Sequence, residues 1–280
     1  MGVDAAHLAQ QRGTAFRVGS VSFLNARPLI YGLDEAEDVE LSLAVPSNLL
    51  DGLRNQAYDV ALLPVIDYQR LPGLRLMDAG GIGSNGPTLT VRLFSPVPLG
   101  NLKAVAVDTD SHTSVVLARI LLAECFGVRP EFIAWNPRRP DNVIPESAAR
   151  LLIGDKVVCE EPVGLHHQMD LGEAWKNLTN LPFVFACWTA RAGVKLGDLP
   201  QRLGKARQQG LQHVEEIVAR HALPRGWPAA LARRYLLENL KFEIGPQQIE
   251  AIALFHRLAY QHGLLEHQPW NLDIYPTPGE

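Results

Sequence analysis

Asn25 stands in Ser22-Phe23-Leu24-Asn25-Ala26-Arg27-Pro28-Leu29, directly after a strand-like run and at the opening of a helix-like one. Backbone N–H groups at a helix start lack intrahelical partners and attract anions. An amide placed there can hydrogen-bond a ligand. The same position suits an N-cap, and the local pattern alone favours the cap. Pro28 suits a first helical turn under either reading. A second cluster, Asp108-Thr109-Asp110-Ser111-His112-Thr113-Ser114, holds the corresponding place further along. The hydroxyls of Ser111, Thr113 and Ser114 can hold a carboxylate without any Arg or Lys. Capping by Ser111 or Asp110 explains one residue of this cluster and leaves the rest. His112 could act as a base, although a lone His among hydroxyls is more often a surface residue. Gly154-Asp155 supplies a carboxylate for acid–base work or for orienting a hydroxyl. The alternative is a solvated turn before a strand, with Asp59 as its counterpart. In Ser84-Asn85-Gly86-Pro87-Thr88-Leu89-Thr90, Ser84 and Thr90 are expected to line a cleft, and an ordinary connecting loop fits as well.

Other chemistries find little support. Glu160, Glu161, His166 and His167 lack metal-ligand spacing, so no metal is assigned. G-x-S-x-G and P-loop patterns are absent, and Gly80-Gly81-Ile82-Gly83 alone is no nucleotide fingerprint.

The elements that must position these residues occur twice. A strand at Arg17–Val21 leads to a helix from Asn25, an extended run Val39–Val45, a helix opened by Pro46-Ser47-Asn48, and Tyr58–Pro64. The order recurs as Lys103–Asp108, the Ser111–Ser114 helix start, Glu131–Trp135, a helix opened by Pro145-Glu146-Ser147, and Gly154–Pro162. Alternating strands and helices predict mainly parallel sheets covered by helices. Two such lobes imply a cleft, where small ligands bind. The first lobe is expected at 16–95 and 189–280, and the inserted second lobe at 96–188. Helical periodicity marks the segments from Leu199, Ala229 to Leu240 and Gln247 to His262, and the tail from Pro269 reads as irregular.

The chain has 280 residues, 47% of them hydrophobic, and a net charge of −4. That suffices for a full core and argues against a nucleic-acid groove. Cys125, Cys159 and Cys187 lie in apolar surroundings and read as buried structural thiols. The first fifteen residues contain no apolar run of signal-peptide length, and no stretch has the roughly 20 apolar residues a bilayer span needs. A cytoplasmic protein without membrane attachment is the expectation. Oligomeric state is not readable.

Val21-Ser22-Phe23-Leu24-Asn25-Ala26-Arg27-Pro28-Leu29 resembles the opening signature of the chorismate dehydratases of the futalosine route to menaquinone. The resemblance continues through Tyr58–Pro64, Gly86-Pro87, Ser111–Ser114, Gly154-Asp155, Asp170–Trp175 and Leu181–Ala186, and covers roughly residues 16 to 275. Two positions depart from the pattern. His112 stands where the family usually has Arg, and Lys156-Val157-Val158 replaces a small-residue run. The resemblance implies a type II periplasmic-binding-protein fold of two α/β lobes. It implies an anionic small-molecule substrate, chorismate, and loss of water to give 3-[(1-carboxyvinyl)oxy]benzoate, with no cofactor. Asn25 would then bond the reacting part of the substrate. Ser111, Thr113 and Ser114 would hold a carboxylate, and Asp155 would orient the leaving hydroxyl or act as base. A substrate carboxylate could also take the proton. The rival readings are the sister enzyme that makes 1,4-dihydroxy-6-naphthoate, a solute-binding protein, and the effector lobe of a regulator. The Leu24-Asn25-Ala26-Arg27-Pro28 signature favours the dehydratase.

Overall fold

The computed structural model describes residues 15–108, 111–135, 144–159, 162 and 164–275. Two sheets organise the chain. The first has seven strands: β1 (Phe16–Val21), β2 (Val39–Ala44), β3 (Val60–Pro64), β4 (Leu74–Ser84), β10 (Phe183–Arg191), β11 (Leu240–Lys241) and β12 (Ile274–Tyr275). Their order is β11-β4-β10-β3-β1-β2, with β12 beside β4. The second sheet has five: β5 (Val91–Ser95), β6 (Ala104–Asp108), β7 (Glu131–Trp135), β8 (Ala149–Ile153) and β9 (His167–Asp170), ordered β7-β6-β8-β5-β9.

The repeat read from the sequence is visible in the pairing. β1 lies parallel between β2 and β3, and β6 lies parallel between β7 and β8. One antiparallel strand then joins each triplet. β10 pairs with β3, and β5 pairs with β8. Each of those strands has just crossed from the other sheet. β3 is buried along its whole length, which explains its unbroken apolar run.

Several boundaries differ from expectation. Val91–Ser95, expected in the first lobe, pairs in the five-stranded sheet, and Phe183–Trp188, expected in the second, pairs in the seven-stranded one. The crossings therefore run through 85–90 and 171–182, and the prolines at 96 and 98 follow a strand of the second sheet. Glu146 and Ser147 form a turn rather than a helix start, and β8 begins at Ala149. Lys156–Cys159 is a short helix rather than a strand. Gly154 ends β8 with φ +66, a left-handed conformation that disfavours other residues. Asp155 therefore follows a strand, whereas Asp59 precedes one, so the two are not equivalent. The tail is less irregular than expected, because Ile274 and Tyr275 pair with β4.

The helix His112–Phe126 is apolar around most of its circumference, and Gly127 caps it at φ +67. It packs against Val65–Arg70, Leu171–Thr179 and Pro246–Gln261, so both halves of the chain touch it. Its N-terminus points back to the seam between the sheets. Among the described residues no helix is long and apolar enough to cross a membrane. Cys187 is buried, but Cys125 and Cys159 are exposed, which corrects the expectation of three buried thiols. Cys125 sits on the last turn of an otherwise apolar helix, where apolar neighbours do not imply burial.

Candidate active site

A cavity partly open to solvent lies on the seam between the sheets. The seven-stranded side contributes Phe23, Asn25, Pro64, Phe185 and Tyr235. The other side contributes Ser111, His112, Thr113, Ser114 and Gly154, and the crossing contributes Thr88 and Thr90.

Asn25 lies inside the 3₁₀ helix Leu24–Ile30, whose N-cap position is Phe23. It is therefore not a cap. Its Oδ1 is buried, with no hydrogen-bond partner among the described residues. An unpaired buried oxygen in a cavity wall is costly unless a ligand satisfies it. The turn into Asn25 is fixed by two guanidiniums, since Arg27 and Arg225 both donate to the Ser22 carbonyl, at 3.1 and 2.9 Å.

Ser111 is the N-cap of His112–Phe126, yet its side chain makes no capping bond. Ser111, Thr113 and Ser114 are all buried. The first turn of a 15-residue helix places N–H groups that have no intrahelical acceptor beside buried hydroxyls, which suits an anion. Thr113 Oγ1 also accepts from Ile66 N at 3.4 Å, so it ties the two halves together. Asp108 lies at the end of β6, and Thr109 and Asp110 lie outside the described residues.

Thr90 Oγ1 and the Tyr235 hydroxyl are 2.7 Å apart. Burial pushes the Tyr235 hydroxyl above the usual tyrosine range, while Thr90 and Asn25 pull it the other way. It remains a neutral hydroxyl that can donate into the site. The crossing that carries Thr88 and Thr90 is clamped by Asp170. Its carboxylate accepts from Thr88 N at 2.9 Å and Leu89 N at 2.7 Å, and from Gly172 N and Glu173 N of the next helix. A Cβ on Gly172 would lie 2.0 Å from Thr88 Oγ1, so only glycine fits there.

Two expected site residues lie elsewhere. Ser84 is buried, does not line the cavity, and has its hydroxyl 3.1 Å from that of Thr88. Asp155 is also outside the lining. Its carboxylate accepts from Arg225 at 3.1 Å and Trp227 Nε1 at 3.3 Å. That arrangement is a clasp between the halves rather than a free base. Phe23 packs within 3.2 Å of a Cβ built on Gly154 and closes the seam beside it. Asp59 is held by Arg17 at 2.7 Å, an ordinary turn residue. Tyr235 and Thr88 were missed. Tyr235 comes from the C-terminal helices, 145 residues from its partner, and no local motif marks it. Glu160 and Glu161 lie outside the described residues.

A family profile described as menaquinone biosynthesis matches residues 16–261. The chain belongs to the menaquinone-biosynthesis family. A chorismate dehydratase of Thermus thermophilus is 30% identical over 239 residues, covering 78% of this chain and 86% of that protein. Among solved structures, a protein of Archaeoglobus fulgidus superposes with a TM-score of 0.71 at 15% identity, over 91% of this chain and all of that one. The alkanesulfonate-binding protein of Xanthomonas axonopodis pv. citri, bound to MOPS, superposes with a TM-score of 0.68 at 14% identity, over 94% of this chain and 99% of that one. This member of the menaquinone-biosynthesis family thus has the periplasmic-binding-protein fold, with a cavity on the seam as its candidate site.

Proposed function

We propose that this protein is a hydro-lyase that removes water from chorismate to give 3-[(1-carboxyvinyl)oxy]benzoate. The carrying observation is the pairing, in one cavity, of Asn25 from the family's opening motif with the buried hydroxyls Ser111, Thr113 and Ser114 at a helix N-terminus. A dianionic ring carrying two carboxylates and a hydroxyl matches this set, because the helix start and its hydroxyls donate to a carboxylate while Asn25 Oδ1 accepts from the ring hydroxyl. The 30% identity to a chorismate dehydratase supports the same substrate.

The reaction is a 1,2-elimination that makes an aromatic ring, so orientation can supply much of the barrier reduction. The helix start holds a carboxylate. The substrate's ring hydroxyl donates to the buried Oδ1 of Asn25, and Tyr235, braced by Thr90, donates to the oxygen of that hydroxyl as it departs. Asp155 holds the halves together through Arg225 and Trp227, which excludes water. The seven-stranded half supplies Asn25 and Tyr235 and the five-stranded half the hydroxyls, so the substrate bridges the two.

The test is incubation of purified protein with chorismate and mass analysis of the product. A product lighter by one water supports the reading. Chorismate left unchanged by folded protein at high concentration refutes it.

A further inference from the structure

A second cavity lies away from the seam, toward the C-terminal end of the central helix, and shares no lining residue with the first. Its five-stranded side is formed by Arg119 on His112–Phe126, by Arg129 and Pro130 in the link that follows, and by Phe132 on β7. His262 and Leu264 form the other side, just beyond the helix Pro246–Gln261 of the seven-stranded half. That helix closes with Gly263 N on the Tyr260 carbonyl at 2.9 Å and Leu264 N on the Ala259 carbonyl at 2.8 Å, which brings His262 and Leu264 to one wall. His262 Nε2 lies 2.7 Å from Glu124 Oε1, so the two halves also meet here.

Two features of this cavity have no counterpart inside the chain. Arg119 is partly buried, with its guanidinium carbon 4.0 Å from the centre of the Phe132 ring. Neither Arg119 nor Arg129 has a hydrogen-bond or ion-pair partner among the described residues. Burial holds Arg119 below the usual arginine range, and no carboxylate beside it offsets that cost. The Phe132 ring takes one face of the guanidinium and leaves its N–H edge free to donate. Glu124 is engaged by His262 rather than by either arginine. The second feature is His262 itself. Its side chain is only 9% exposed, and its Nδ1 is buried with no partner among the described residues. A buried polar atom of this kind costs free energy until something satisfies it. An imidazole nitrogen accepts a hydrogen or gives one according to the state of the ring, and a hydroxyl meets either need.

We infer that this cavity binds a hydroxy-substituted aromatic carboxylate, separately from the ligand of the seam. Arg119 and Arg129 take the carboxylate, since a guanidinium presents a fork of donors that matches it. Pro130, Phe132 and Leu264 cover the ring, and the ligand's hydroxyl meets His262 Nδ1. Because these contacts come from both halves, binding favours the arrangement in which the halves touch.

The test is isothermal titration calorimetry of the full chain with 3-hydroxybenzoate, 4-hydroxybenzoate, benzoate and inorganic phosphate. It is repeated on Arg119→Gln, Arg129→Gln and Thr113→Val, each checked for folding by circular dichroism. At least one hydroxybenzoate should bind, and Arg119→Gln should weaken it about 10-fold or more. Arg129 is exposed, so Arg129→Gln tests the site even where Arg119→Gln fails to fold, and it should weaken binding about 3-fold or more. Benzoate should bind about 5-fold or more weakly than the hydroxybenzoate, for want of the hydroxyl. Thr113→Val, in the seam cavity, should leave the affinity within about 2-fold. Binding that Thr113→Val weakens and neither arginine variant changes would put the ligand in the seam and overturn the assignment. Phosphate binding as tightly as the hydroxybenzoates would overturn the ligand class. No binding of any probe at about 10 mM would overturn the site. None of these outcomes bears on the dehydration of chorismate.

Discussion

Asp170→Asn removes one acceptor from the crossing that carries Thr88 and Thr90. In the native protein Oδ1 takes three backbone N–H groups, from Thr88, Gly172 and Glu173, and Oδ2 takes Leu89 N at 2.7 Å. An amide keeps one oxygen, which the three donors hold at the Oδ1 place. The amide nitrogen then faces Leu89 N–H, donor against donor. A buried N–H left unsatisfied costs about 1–3 kcal/mol, and losing the charge from the remaining bonds adds about 1 kcal/mol. Leu89 has φ +72, a conformation that itself costs a non-glycine residue about 1–2 kcal/mol and that this bond helps hold. Relaxation of Leu89 recovers part of the loss, so the net fall in unfolding free energy should be about 2–4 kcal/mol. The assay is urea denaturation of both proteins with the slope compared. Because Thr90 follows Leu89 directly and braces Tyr235, turnover should fall as well. A stability change below about 0.5 kcal/mol with unchanged slope would refute the argument that Asp170 clamps the crossing.

Asn25→Asp places a negative charge where the proposed dianionic substrate would bind. Like charges about 4 Å apart repel by about 1–4 kcal/mol, so kcat/KM for chorismate should fall 10-fold or more in variant protein shown to be folded by circular dichroism. His256 is buried, and desolvation pushes it down to about 4, because the Val65 carbonyl offsets only part of that cost. Its folded form stays neutral while the unfolded chain takes a proton below about pH 6.5. Stability is therefore full above that pH and is lost as pH falls toward 4, by about 3 kcal/mol in total. Gln69 Nε2 lies 3.0 Å from His256 Nδ1 and cannot rotate to accept from a protonated ring, since Trp270 holds both ends of its amide. His256→Gln should flatten that part of the urea-midpoint profile. A thiol reagent should label Cys125 and Cys159 in native protein but reach Cys187 only after unfolding, because burial raises that thiol to about 12; mass mapping of the labelled peptides checks it.

The two-lobe plan was legible because each parallel triplet is an apolar run bounded by polar turns, as at Val60–Pro64 and Ala104–Asp108. That Asn25 and the Ser111–Ser114 cluster meet at the seam was legible for the same reason, since both come just after a strand of a parallel triplet. Asp155 was misread because the run Lys156–Cys159 is as apolar as a strand, while the true strand ends at Ile153. Ser84 sits in a loop sequence but ends a long strand whose last residues are buried. What could not be read was pairing at a distance. Asp67 and His112 are 45 residues apart and Tyr235 and Thr90 are 145 apart, so no local pattern joins them. His112 looked like a surface residue because the carboxylate that braces it comes from the other half.

A crystal structure with the product bound tests the central claim most directly. The account predicts 3-[(1-carboxyvinyl)oxy]benzoate in the seam cavity, with Asn25 and Tyr235 beside the ring edge that lost the hydroxyl and one carboxylate on the Ser111, Thr113 and Ser114 hydroxyls. Product bound to one half alone, or outside this cavity, would contradict it.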